Sequence, residues 1–295
     1  AEAAFQRRAH YVLRQTALGI LRGTGYPEDE AQTVLEVLLY AQMRGNNQGM
    51  VKLIGAGLPR DPEAQPPRIV HETVISARID GGRSPGMVVV PYALDLAMEK
   101  ARAGGIGLIG MFNTNSPTGA IGYYANRAAR AGYIGFVFSG SGEYVAPYGA
   151  YEPIFGTNPL AIGIPTGDQP IVLDIATSAI ARYGVIEAQT AGRALPADVA
   201  LDAEGNPTTD PTAALAGAIR TFGGHKGSGL ALMVELLTGA LVGQQRDADG
   251  KKVDFGNLLL VIDPGLLIDR DDFIAQVKVT AGLGKGVRRL PGVEE

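Results

Sequence analysis

The chain is predicted to fold as an α/β protein with a helical N-terminal segment. Helical spacing dominates the opening, with Phe5 to Leu21 and Pro27 to Met43 each placing apolar residues on one face. From Val74 onward, alternating or apolar runs short enough for strands exchange with helical runs, and glycines close several of them. No strand feeds a G-x-G-x-x-G turn, and neither Gly-Lys pair is followed by Ser or Thr, so the expected architecture is neither a standard Rossmann nor a P-loop fold.

In the second helix Ala31, Val34, Leu35 and Leu38 share a face and Pro27 suits the first turn. Val74 to Ile79 alternates, with Ile75, Ala77 and Ile79 on one side, and Asp80-Gly-Gly82 closes it. A helix is expected from Pro91 to Ala103, stopped by Gly104-Gly105 and followed by the strand Ile106 to Phe112. Ile121 to Ala131 reads as a helix ended by Gly132, and Ile134 to Phe138 as a buried strand. Further strands are expected at Ile171 to Asp174 and Leu258 to Ile262, with a long helix from Gly227 to Leu241 between them. His71 is placed at the start of a strand and His10 in the opening helix.

At 295 residues and 46% hydrophobic content the chain buries a sizeable core. Acidic side chains exceed basic ones by 30 to 26 without a basic run, which argues against a nucleic-acid partner or a polybasic membrane anchor. The absence of cysteine excludes disulfides and thiol catalysis, and with three histidines no metal site is expected. No signal peptide is visible, so the expected location is the cytoplasm. The apolar run Leu230 to Val242 carries Glu235 and is shorter than the roughly 20 residues that span a bilayer, so no membrane partner is expected.

Chemistry concentrates in Thr221-Phe-Gly-Gly-His-Lys-Gly-Ser-Gly-Leu230. Its glycines let backbone N–H groups approach an anion, a helix N-terminus follows, and Lys226 adds a point charge for phosphate. The alternative is a tight turn with no ligand.

Four segments in order, Gly156-Thr-Asn-Pro159, Asp174-Ile-Ala-Thr-Ser178, Asp202 to Pro211 and Gly223-Gly-His-Lys-Gly227, resemble the type 2 malate/L-lactate dehydrogenase family, and the likeness runs from the helical opening to Leu290-Pro-Gly292. That family includes dehydrogenases for malate, lactate, sulfolactate and ureidoglycolate, and reductases for diketogulonate and cyclic imino acids. The resemblance implies a non-Rossmann NAD(P)-binding fold, NADH or NADPH as cofactor, a small carboxylate substrate and a homodimer. It implies three regions: 1–55, a helical segment carrying part of the active site; 56–112 with 263–295, a substrate-side α/β region; and 113–262, the NAD(P)-binding region. It further implies that Asp174, Ile175, Ala176, Thr177, Ser178 and the residues to Ile180 contact the cofactor, with His225, Lys226 and Gly227 at its phosphates and Ser139 and Ser141 facing it. The strand ending in this segment is expected to expose hydroxyl and N–H groups at a helix start, and simple helix capping is the competing role for Thr177 and Ser178.

The chain departs from the pattern of the family it resembles at two places. Relatives carry a Ser-His-Gly segment whose histidine donates a proton, and an arginine three residues on that holds the substrate carboxylate; here stand Asn47-Gln48-Gly49 and Lys52. Glutamine does not deliver a proton near neutral pH, and lysine keeps the charge without the planar fork. A second family histidine falls at Pro117, in Thr114-Asn-Ser-Pro-Thr-Gly119 ahead of Gly122-Tyr-Tyr124. The pocket is therefore expected between Gln48, Lys52 and Pro117, with Asn47 as a further hydrogen-bonding group and Tyr123, Tyr124 and Tyr151 as possible proton donors of unperturbed pKa near ~10. The favoured function is an NAD(P)-dependent reductase of an atypical substrate such as a cyclic imino acid. The alternatives are a 2-oxo/2-hydroxy acid dehydrogenase with a replaced proton donor, and a cofactor-binding protein without redox activity.

Overall fold

The computed structural model describes residues 2–54, 57–115 and 117–282, with side chains from residue 10 onward. The segment Leu290-Pro-Gly292 lies outside the described residues, as does the loop Arg289 to Gly292 expected at the cofactor.

Two helices open the chain, α1 (Glu2–Gly23) and α2 (Glu28–Gln42). Pro27 caps α2, Glu28, Asp29 and Glu30 complement the dipole of its first turn, and the predicted face of Ala31, Val34, Leu35 and Leu38 is buried. A 3-10 turn, Met50–Leu53, follows and packs against both helices.

The body is a seven-stranded sheet built from β1 (Arg68–Glu72), β2 (Ser76–Asp80), β3 (Ile106–Thr114), β4 (Ile134–Ser139), β6 (Leu160–Ile164), β7 (Ile171–Ile175) and β10 (Phe255–Ile262). Its order is β1-β2-β3-β10-β4-β6-β7, and β2 with β3 is the parallel pair. The last of these strands in sequence, β10, inserts antiparallel between β3 and β4. Helix α3 (Gly86–Gly104) makes the right of way from β2 to β3 and packs on β3 and β10, and α4 (Gly122–Arg130) packs on β4 and β6. Gly163 permits that second approach, because a Cβ there would fall on the Ala125 carbonyl oxygen of α4.

A small sheet, β5 (Val145–Ala146), β9 (Ala218–Arg220) and β8 (Ala200–Leu201), carries its own apolar cluster with α5 (Arg182–Thr190), α6 (Pro211–Ala216) and α7 (His225–Glu235). A π-helical turn, Leu236–Ala240, continues α7, and α8 (Arg270–Thr280) ends the described chain.

Three expectations are corrected. The third helix begins at Gly86, so Pro91 lies inside it; Val88 to Val90 disguise the helical pattern with β-branched side chains, and their burial overrides that propensity. His71 sits within β1, whose residues are all exposed and so show no apolar alternation. The long helix starts two residues earlier than expected, at His225, because Gly223 and Gly224 take positive φ and end the preceding turn.

Candidate active site

A cavity of about 430 Å³ opens where the N-terminal segment meets the large sheet. Asn46, Asn47, Gln48 and Lys52 form one wall. The loop after β3 supplies Asn115 and Pro117 to Ile121, the β4 end supplies Ser139 to Ser141, β7 and its extension supply Asp174 and Ala176, and the start of α5 supplies Arg182, Tyr183 and Ile186.

Local hydrogen bonds fix each wall. Asn46 Oδ1 accepts the Gln48 N–H at 2.9 Å, and Gln48 Nε2 donates to Asn47 Oδ1 at 3.1 Å. Gly49 lets this loop lie on α2, since a Cβ would stand 2.8 Å from the Gln42 nitrogen. Thr118 and Ser139 share a buried hydroxyl contact of 3.0 Å. Ser141 Oγ accepts the Thr157 N–H at 3.0 Å, and Lys252, itself bridged to Glu235 at 2.6 Å, donates to the Ser141 carbonyl at 3.1 Å. Asp174 Oδ2 accepts the Gly122 N–H at 2.7 Å, which ties β7 to the start of α4.

Two cations reach the cavity. Arg182 stacks its guanidinium 4.0 Å above the Tyr144 ring. Lys52 is 1% exposed, its Nζ lies 3.4 Å above the Tyr183 ring, and that nitrogen has no hydrogen-bond partner among the described residues. Burial pulls the Lys52 pKa down to about 7. Such an amine changes its charge near neutral pH.

The expected pocket residues Asn47, Gln48, Lys52, Pro117, Ser139, Ser141, Asp174 and Ala176 thus come together. Among the described residues no histidine lines this cavity: His10 lies on α1, His71 on β1, and His225 begins α7. Tyr124 does not line it; its hydroxyl is buried, donates to the Thr118 carbonyl at 2.7 Å, and has its pKa raised by burial, so it supports the loop. Tyr123 packs edge-on against Tyr40, and Tyr151 lies outside the cavity.

The segment after β7 also differs from expectation. Thr177 and Ser178 are buried, Thr177 Oγ1 donates to the Thr157 carbonyl at 3.0 Å, and Ser178 Oγ donates to the Ile180 carbonyl at 2.8 Å. Their hydroxyls are spent on the backbone, and α5 starts only at Arg182, so they neither cap a helix nor offer hydroxyls at its start. Ile175 pairs with Leu160 in the sheet. This segment divides two cavities: Asp174, Ala176, Ala181 and Arg182 face the first, and Ala179 lines a second of about 550 Å³. Arg220, Gly223 and Gly224 line the second, at whose edge α7 begins with exposed His225 and Lys226. Gly227 is buried there, where a Cβ would fall on the Phe222 carbonyl oxygen.

Arg182, Tyr183 and Tyr144 were missed from sequence. They lie outside the four matching segments, and only the fold turns the first turn of α5 toward the residues after α2.

The sequence profile of malate/L-lactate dehydrogenases matches residues 9–295. The chain belongs to this family. It is 41% identical over 276 residues to the L-sulfolactate dehydrogenase of Methanothermobacter thermautotrophicus, covering 88% of this chain and 79% of that protein. It is 34% identical over 293 residues to the Delta(1)-pyrroline-2-carboxylate reductase 1 of Burkholderia ambifaria, covering 94% and 83%. Among solved structures, the delta1-piperideine-2-carboxylate reductase of Pseudomonas syringae pv. tomato superposes with a TM-score of 0.81 at 32% identity, covering 95% of this chain and 89% of that one. This malate/L-lactate dehydrogenase family member is an oxidoreductase, and its relatives' names span CH–OH and C=N chemistry.

Proposed function

We propose that this protein is an NAD(P)-dependent reductase of a small carboxylate-bearing substrate, with a cyclic imino acid preferred over a 2-oxo acid. The observation that carries this reading is a cavity that no histidine lines among the described residues, with Gln48 and Pro117 at the two positions where the family resemblance leads one to expect acid/base histidines. Reduction of a ketone develops an alkoxide and calls for a strong proton donor, whereas the more basic nitrogen of a cyclic imine takes its proton from a weak one and leaves as an amine. Asn47 and Gln48 orient the ring by hydrogen bonds, and Arg182 receives the carboxylate.

The chemistry of the donor set fits a nicotinamide dinucleotide, which supplies hydride when bound. Asp174, Ala176, Ser139 and Ser141 line the cavity and would face the nicotinamide. The first turn of the 11-residue α7, with Lys226 beside it and Arg220 in the neighbouring cavity, offers N–H groups and positive charge for the phosphates. Thr177 and Ser178 then act by holding the dividing segment in shape. The choice between NADH and NADPH belongs to the same experiment as the substrate.

Titration with NADH and NADPH, followed by nicotinamide fluorescence, is expected to show binding of at least one. Oxidation at 340 nm is then expected with piperideine-2-carboxylate and to be slower with pyruvate and oxaloacetate. Binding without turnover of any of these defeats the reductase assignment, and binding of neither nucleotide defeats the cofactor assignment too. The 2-oxo acid alternative is favoured by one observation, the likeness to a sulfolactate dehydrogenase, and faster turnover of a 2-oxo acid would establish it. A homodimer is part of the proposal, and light scattering in solution checks it.

A further inference from the structure

We propose that Lys52 is the proton donor of this reaction, kept beneath the Tyr183 ring until substrate displaces that ring; the inference rests on the reductase reading above. Several features of Lys52 point the same way. It lines the cavity from the 3-10 turn that follows the Asn47-Gln48-Gly49 loop. Its amine is buried and unpartnered among the described residues, although buried polar groups are ordinarily hydrogen-bonded. An unpaired buried donor at a cavity wall calls for an acceptor that arrives with a ligand. The Tyr183 ring face is its present contact, and that ring is half-buried on the first turn of α5, with the cavity beside it. The ring face gives the ammonium a cation–π contact but leaves its N–H groups without an acceptor, so it is a replaceable cover.

The surroundings favour transfer over permanent charge. The charged and titratable groups sharing the cavity are Asp174 from β7, Arg182 and Tyr183 from α5, and Tyr144. Asp174 is engaged with the Gly122 N–H, and burial is the cause that moves the Lys52 pKa. From α2 and its end, Tyr40 and Arg44 stack on each other at 3.6 Å. Arg182, by contrast, presents a planar fork of N–H donors that matches a carboxylate. The two cations therefore divide the work: Arg182 holds the carboxylate and Lys52 gives up a proton. A bound reduced nicotinamide would supply hydride to the substrate carbon, and the π pair of the C=O or C=N bond would then pass to oxygen or nitrogen. That atom takes the proton from the Lys52 ammonium, and the neutral amine regains one from solvent. The two electrons that reduce the substrate would come with that hydride, leaving the nicotinamide oxidised.

The test pairs kinetics with a readout independent of turnover. Lys52→Met keeps most of the apolar volume and removes the proton; Lys52→Arg keeps charge without giving up a proton at neutral pH. Both are expected to bind the nucleotide as the wild type does, to lose about 10²–10⁴-fold in kcat, and to change KM for the carboxylate substrate by less than about threefold. Added methylamine is expected to restore part of the activity of Lys52→Met. Wild-type kcat/KM for reduction should fall as pH rises past about 7, where the amine loses its proton, and this limb should be absent from both variants. In protein labelled with 13C at lysine Cε, the resonance missing from Lys52→Arg should titrate near neutrality. A resonance titrating in the ordinary lysine range near ~10.4, or variants that raise KM while keeping kcat, would overturn the assignment and leave the reductase reading standing. A wild-type protein that reduces none of the probes overturns both.

Discussion

At Lys52, charge and burial oppose each other, and the sign of the resulting pH dependence is fixed. Its pKa is lowered from 10.5 to about 7 in the fold, so between those values the unfolded chain binds a proton that the folded one does not. Stability therefore rises with pH from about 7 to 10.5 and is flat for this group outside that window. The full difference is on the order of 5 kcal/mol, less what the Tyr183 face returns to the ammonium. Lys52→Met is expected to be the more stable protein at pH 6, with a flatter stability curve between pH 7 and 10 in denaturant titrations. Arg182→Met is expected to raise KM for a carboxylate substrate by about 10- to 100-fold, the loss of a charged hydrogen bond worth about 1.5–3 kcal/mol, with kcat changed far less. A fall in kcat with KM unchanged would show that Arg182 does not hold the carboxylate. The sequence exposed Gln48, Lys52 and Pro117 as anomalies because they interrupt a familiar pattern, but it did not expose Arg182, which interrupts none.

Elements act here mainly through close approach. Gly107 of β3 lies under α3, where a Cβ would fall on the Ala97 carbonyl oxygen, and Gly163 of β6 lies under α4 in the same way. Backbone atoms cannot swing aside as a side chain does, so Gly163→Ala must move α4 away from the sheet. That shift also strains the Gly122 N–H bond to Asp174, which joins the start of α4 to the cavity wall. The expected result is a loss of about 1–3 kcal/mol in chemical unfolding together with weaker nucleotide binding. An unchanged unfolding midpoint would show that α4 does not sit on β6 as described. The elements most legible in sequence were those with one buried face, such as α2 and β3. The edge strand β1, exposed throughout, left no apolar alternation to read, and the β-branched valines of α3 hid its first turns, so that the helix was read only from Pro91.

At the scale of the molecule, β10 is the strand on which the large sheet depends. It comes late in the chain yet pairs with β3 on one side and β4 on the other, burying Leu258, Leu259 and Val261. The core cannot close until that long-range pairing is made. A chain ending before Phe255 is expected to lose cooperative unfolding by circular dichroism, and retention of a sharp transition would show that the sheet closes without it. The same insertion explains why strand and helix alternate in sequence while most neighbouring strands are antiparallel: α3 connects the parallel pair β2 and β3, and β10 separates β3 from β4.

The sequence by itself determined the mixed α/β class, the helical opening, the family and the residue types at the unusual positions, because those follow from local periodicity and from short motifs whose order survives along the chain. Only the tertiary structure decided that Arg182 and Tyr183 join Gln48 and Lys52 in one cavity, that Tyr124, Thr177 and Ser178 spend their hydroxyls on backbone carbonyls, and that the Lys52 amine is buried without a partner among the described residues. These depend on which surfaces meet across distant parts of the chain. Burial, and with it the charge state of an amine, is a property of that meeting and is written in no single segment.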